Sequence, residues 1–176
     1  MAGSAGFGGT VAINANVTSA EGSILVQTDG NITASPGAVL TALLGPVTLD
    51  SFTANIGTGP ALPVNTQTGS ISINAASGSA WVNQSGPVTI TGSAAGTLYL
   101  TASGTITTGV HKNLVSAADV YLTATSGGGI TISGGVSGTG ISGTNSISLT
   151  ADGDIVSSPA RLSSPTGPCS RNMDGY

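Results

Sequence analysis

The sequence predicts an all-β chain folded as a right-handed parallel β-helix, a β-solenoid of about six coils. Three observations predict it: a strand phrase that recurs six times, a glycine corner that follows most copies, and a surface almost free of charge. The strand phrase appears as Ser23-Ile-Leu-Val-Gln-Thr28, Pro46-Val-Thr-Leu-Asp-Ser51, Ser70-Ile-Ser-Ile-Asn-Ala75, Thr97-Leu-Tyr-Leu-Thr-Ala102, Asp119-Val-Tyr-Leu-Thr-Ala124 and Ser146-Ile-Ser-Leu-Thr-Ala151. It sets an apolar residue, a polar or aromatic one, and a second apolar residue, the period-two mark of a half-buried strand. Its first apolar positions fall at 24, 47, 71, 98, 120 and 147, in steps of 23, 24, 27, 22 and 27. A near-constant step of this size marks a solenoid, in which each repeat stacks on the one before.

The second phrase supplies the corners. Asp29-Gly-Asn-Ile32, Ser103-Gly-Thr-Ile106 and Asp152-Gly-Asp-Ile155 each put a turn dipeptide before a new apolar residue, and Ser126-Gly-Gly-Gly-Ile130 is a looser version. Glycine reaches positive φ at little cost and Asp or Ser bonds to its own backbone, so these are turns between strands. Each repeat then reads strand, corner, short strand and a looser return, with Pro46, Gly86, Pro87 and the glycines from Gly134 to Gly143 in returns and further corners. Stacked coils pair in parallel about 4.8 Å apart, so six coils make a core on the order of 30 Å long. Parallel crossovers favour one hand, which predicts the right-handed form.

Residues 1–156 form the repeat region in this reading. Val11 and Ile13 already alternate like strand residues near the start. Residues 157–176 carry three prolines, no apolar alternation and two of the three cationic residues, and are expected to be a flexible tail. Inward Ile, Val, Leu and Ala stack on their counterparts, each large one contributing roughly 1.5–3 kcal/mol by burial. The end coils expose unpaired strand edges, so end-to-end self-association is expected.

Charge narrows the function classes. Of 176 residues 6% are charged, and none lies between Ser51 and Val110. Phosphate binding needs clustered Lys and Arg, but Lys112, Arg161 and Arg171 are scattered, so nucleic acid is not an expected partner. Mean hydropathy of +0.33 excludes the polar, charge-rich composition of disordered chains. A neutral Ser/Thr surface with net charge −4 suits an extracellular module. Cys169 is the single cysteine and has no internal partner. There is no apolar run of 18 residues, so no membrane span is expected. The first residues have neither a basic n-region nor an apolar h-region, so if the protein is secreted its signal is expected to be missing from this sequence.

Ser-Ile-Ser-Leu-Thr-Ala together with Asp-Gly-Asp-Ile, repeated at this spacing in a charge-poor chain, resembles the repeat region of filamentous haemagglutinin-like large exoproteins. The resemblance covers roughly residues 10–156. Those proteins are surface adhesins of Gram-negative bacteria, exported by two-partner secretion or as autotransporters. The family's secretion domain carries an Asn-Pro-Asn-Gly-type motif, which this sequence lacks. The resemblance therefore implies a stalk segment at the cell surface or outside the cell. It also implies an outer-membrane transporter acting on the full-length protein, and contact with a host-cell surface or an extracellular glycan.

Other chemistries need residue clusters that this chain scatters or lacks. A β-helix glycan-active enzyme needs clustered carboxylates on neighbouring coils. Asp29 and Asp152 take equivalent corners about five coils apart, and Asp152 and Asp154 flank a turn glycine. His111 and Lys112 form the one basic pair, explained by a loop insert between coils. No Cys/His cluster has metal-ligand spacing, no Ser-rich stretch has a partnered His, and the glycine runs lack the Asp of calcium-binding coils. The expectation is a non-enzyme with no catalytic, cofactor-binding or metal-binding residues and no cofactor. An enzyme fragment remains the alternative, with an ice-binding solenoid behind it. The latter rests on Thr89-Ile-Thr91, Thr105-Ile-Thr107 and Thr131-Ile-Ser133, whose steps of 16 and 26 do not require alignment. Asn16-Val-Thr18, Asn31-Ile-Thr33 and Asn83-Gln-Ser85 match the N-glycosylation pattern, as chance allows in such a composition. Trp81, Tyr99 and Tyr121 are the candidate contact residues for a glycan or surface. Tyr99 and Tyr121 hold the outward middle slot of consecutive phrases and are expected to stack, an arrangement that also stabilises paired strands.

Overall fold

Side-chain alternation selects which backbone becomes strand; stacking decides where each strand lies. The computed structural model describes residues 9–109, 115–133, 140–158, 162–163 and 169–173. His111, Lys112, Arg161 and Asp174 lie outside the described residues. The first coils contain β1 (Val11–Ile13), β2 (Val17–Ser19), β3 (Ile24–Thr28), β4 (Ile32–Ala34), β5 (Val39–Ala42), β6 (Val47–Ser51), β7 (Val64–Thr68) and β8 (Ser70–Ala75). Then come β9 (Ala80–Gln84), β10 (Val88–Ala94), β11 (Thr97–Ala102), β12 (Ile106–Thr108) and β13 (Val115–Ala124). The chain ends with β14 (Ile130–Ser133), β15 (Ile141–Ala151), β16 (Ile155–Ser158), β17 (Leu162–Ser163) and β18 (Cys169–Met173). Among the described residues there is no helix, and every strand pairing is parallel. This is a β-solenoid of about six turns.

Three columns build the first coils. β4 lies on β1, continued by a bridge from Ile32 to Ile56. A second column runs β2–β5–β7 and a third β3–β6–β8. At β9 the grouping changes. Ala80 pairs with Ile56 and Val82 with Val64, so β9 covers the first two columns at once. β10 lies on β8 from Thr89 to Ala94, and its own upper side then divides. Val88–Ile90 meets β12, whereas Gly92 and Ser93 meet Val115 and Ser116 of β13. Gly92 marks the fork. Its φ is +139°, and a Cβ there would stand 1.8 Å from the Ile73 carbonyl oxygen, so the position needs glycine.

The six copies of the strand phrase consequently occupy two columns rather than one. Ile24, Val47 and Ile71 stack, but the next residue above Ile71 is Ile90. Leu98, Val120 and Ile147 stack on another side of the coil, above Ala80. The reason is physical: alternation is a local property that can recur on any side, whereas a column is set by pairing with a distant strand. Each glycine corner falls directly before β4, β12, β14 or β16. The Asp29 and Asp152 corners are not equivalent, however, since β4 belongs to the first column and β16 to the column above β10. At one of them coils approach so closely that a Cβ on Gly128 would lie 2.3 Å from the backbone of Gly104.

Inward ladders form the core. Val82, Leu100, Leu122 and Leu149 stack in one, and Val88, Ile106 and Ile130 in another, all between 0% and 3% exposed. Polar groups inside are paired. Gln84 donates to the carbonyls of Thr68 and Ser85, both at 2.8 Å, and accepts from Thr66 Oγ1 at 2.7 Å. Gln84→Leu removes these three bonds and leaves the Thr66 hydroxyl only a long contact to the Asn83 carbonyl at 3.4 Å, so it is expected to cost about 1–3 kcal/mol. A urea titration reads this as a lower midpoint; an unchanged midpoint would show that the network adds nothing.

Strand structure also reaches into the segment whose composition suggested a flexible tail. β17 pairs with Ile141–Ser142, and β18 pairs with Ile147–Ala151 residue for residue. A parallel edge offers a row of N–H and C=O groups that extended backbone of almost any sequence can satisfy, so composition is a poor guide there.

Candidate functional site

Period-two alternation creates the most distinctive outer face. On β9, β11 and β13 the residues flanking each aromatic are buried: Ala80 and Val82, Leu98 and Leu100, Val120 and Leu122. Trp81, Tyr99 and Tyr121 must then point outward. Register places them directly above one another, Trp81 on Tyr99 on Tyr121, followed by Ser148. The two tyrosine rings are 6.0 Å apart at 38°, a tilted pair within stacking range. Trp81 and Tyr99 are half-buried and Tyr121 is exposed. The structure thus brings all three candidates together in one column, Trp81 included, although its segment is not one of the six quoted copies of the phrase.

Polar columns flank the aromatics. On one side Thr97, Asp119 and Ser146 align, and Ser146 Oγ donates to Asp119 Oδ1 at 2.6 Å. On the other, Asn65, Asn83, Thr101, Thr123 and Thr150 align, and Asn83 Nδ2 donates to Asn65 Oδ1 at 3.3 Å. Below Trp81 the chain makes a short excursion. Gly57 is buried with φ +77°, and a Cβ there would lie 3.2 Å from Trp81 Cβ. Thr58 and Leu62 close that excursion, the Thr58 amide donating to the Leu62 carbonyl at 3.2 Å.

The carboxylates are spread out. Asp152 Oδ2 accepts from the Gly127 amide at 3.3 Å, and the Asp154 carbonyl accepts from the Ile130 amide at 2.9 Å, so both serve the corner beneath them. The Asp29 carbonyl accepts from the Thr53 amide at 3.0 Å. Asp50 belongs to a spine that sequence reasoning missed. Gln27 Nε2 donates to Asp50 Oδ2 at 2.9 Å, and Asn74 Nδ2 to Asp50 Oδ1 at 2.8 Å. The signal was present: Gln27, Asp50 and Asn74 fill the fifth slot of the first three phrases. A second spine lines a corner. There Asn31, Asn55 and Ser79 side-chain oxygens accept the backbone amides of Asn55, Ser79 and Thr97, at 3.1, 2.8 and 2.9 Å. Two of the glycosylation-pattern asparagines therefore act as coil-to-coil acceptors, Asn31 in this spine and Asn16 for the Val39 amide at 3.0 Å.

Thr89, Thr107 and Thr131 do align, in one single-file column that ends at Val156. Among the described residues no group of three or more His, Cys, Asp or Glu could hold a metal ion, and no helix is long and apolar enough to cross a membrane. Comparison of the chain with protein-family models, with curated proteins and with solved structures gives no match.

Proposed function

We propose that the chain is a stalk segment of a secreted bacterial surface adhesin of the filamentous haemagglutinin-like class. Its work is extension: it holds binding regions away from the cell and can itself touch a host surface. In this proposal the full-length protein reaches the outside through an outer-membrane transporter. The observation that carries the reading is the parallel stacking of coil on coil, with 16 strands in one sheet and β1 and β4 in a second. Such a stack gains length simply by adding coils. Spines such as Gln27–Asp50–Asn74 tie coil to coil without charge pairs, which suits a surface made of Ser, Thr and Asn.

Sequencing the DNA on both sides of the reading frame tests the proposal. More coils of the same step are expected, with a secretion domain bearing an Asn-Pro-Asn-Gly-type motif upstream. Stop codons close on both sides, with a ribosome-binding site of its own at Met1, would overturn it.

A further inference from the structure

We infer that the Trp81–Tyr99–Tyr121 face binds a neutral glycan chain laid along the coil axis. The inference stands apart from the stalk proposal, because it concerns this face alone and is tested on this chain alone.

Three observations converge on it. First, the aromatics form an in-register column on consecutive coils, with rings turned outward from a filled core. Aromatic pairs also steady adjacent strands, yet the other outward columns of the same solenoid are filled mainly by Thr, Ser and Asn. Second, the column is bordered on both sides by hydrogen-bonding side chains, Asp119 and Ser146 on one flank and Asn83, Thr101 and Thr123 on the other. A pyranose matches this layout: its C–H face stacks on an aromatic ring while hydroxyls at its edges reach polar groups on either side. Few other ligands combine an apolar face with a polar rim on that scale, and a site of this kind fixes orientation through such polar groups. Third, charge selects among glycans. The face carries a carboxylate, Asp119, whose negative charge disfavours sulfated or sialylated chains. Successive coils step by about one strand spacing, roughly 4.8 Å. An aromatic side chain therefore recurs once per coil, at Trp81, Tyr99 and Tyr121, along the path of an extended chain.

Trp81 is the chain's one tryptophan, so its emission reports on the face directly. The 176-residue protein is titrated with cellohexaose and chitohexaose under fluorescence and calorimetry, and applied to a printed array of neutral and anionic glycans. The expected result is saturable binding to at least one neutral oligosaccharide, with a shift in Trp81 emission. Tyr121→Ala should weaken it by about tenfold, equivalent to about 1.4 kcal/mol. Tyr121→Phe, which keeps the ring, should bind nearly as the parent does. Circular dichroism of each variant guards against unfolding, and Thr123→Val provides a second, milder probe of the polar rim with the same expected direction. Three results would overturn the inference: no neutral glycan bound by the folded protein, binding indifferent to both Tyr121→Ala and Thr123→Val, or an anionic chain preferred over neutral ones.

Discussion

Ile73→Asp is expected to unfold the middle coils, while Ser72→Asp leaves the fold standing. The two residues are adjacent in sequence and differ only in the side of the strand they occupy. Ile73 is fully buried, stacked between Leu49 below and Gly92 above. Aspartate there loses the burial of a large apolar side chain and places a carboxylate where nothing pairs with it. Large apolar-to-small changes cost about 2–5 kcal/mol before any charge is added, and an unpaired buried charge adds several more. Ser72 sits half-exposed between Thr48 and Thr91, and a surface change of this kind is worth about 0.5 kcal/mol or less. Far-ultraviolet circular dichroism with urea should separate the two variants widely. Equal midpoints would reverse the inward and outward assignment of the whole third column.

Gly92→Ala should be nearly as damaging, from a single methyl group. Two penalties coincide at that position. The φ of +139° is one that a side chain rarely adopts, and the new Cβ would collide with the Ile73 carbonyl, which is backbone and cannot swing aside. Left-handed backbone costs about 1–2 kcal/mol and overpacking about 1–3 kcal/mol, so a loss of about 2–5 kcal/mol is expected. Gly69→Ala serves as the control, since a Cβ there meets nothing within 4 Å. Its urea midpoint should stay close to the parent's. If both variants unfolded together, the division of β10 between two upper columns would not depend on Gly92.

The strands themselves were legible in the sequence, because alternation is written locally in residues such as Ile71, Ile73 and Ala75. Their partners were not. Ile90 stacks on Ile71 after only 19 residues, yet the strand phrase steps from 71 to 98. Pro87-Val-Thr looks like a copy of Pro46-Val-Thr, but the register sets Ile90, not Val88, in the column of Val47 and Ile71. The Tyr99–Tyr121 stack followed from equal slots in consecutive phrases. Trp81 joined it for a reason hidden from any phrase: β9 covers two earlier columns, which shifts the following strands onto its side of the coil. β18 was illegible on composition, since an edge accepts backbone rather than side-chain pattern.

The coil-on-coil hydrogen bonding also gives the molecule a mechanical character. Backbone N–H···O=C bonds between coils run along the axis, so a pull on the two ends loads the junctions in series, each bearing the whole force, and they yield one at a time. A junction that yields releases one coil while its neighbours stay closed. From Val47 to Ile71 a coil uses 24 residues, which occupy about 4.8 Å of the stack and about 80 Å when drawn out straight. Each released coil lengthens the tether many times over and lets its ends separate before anything held at them is torn away. In the stalk proposed above, such a stack would serve as a stiff spacer at rest and would lengthen coil by coil under tension.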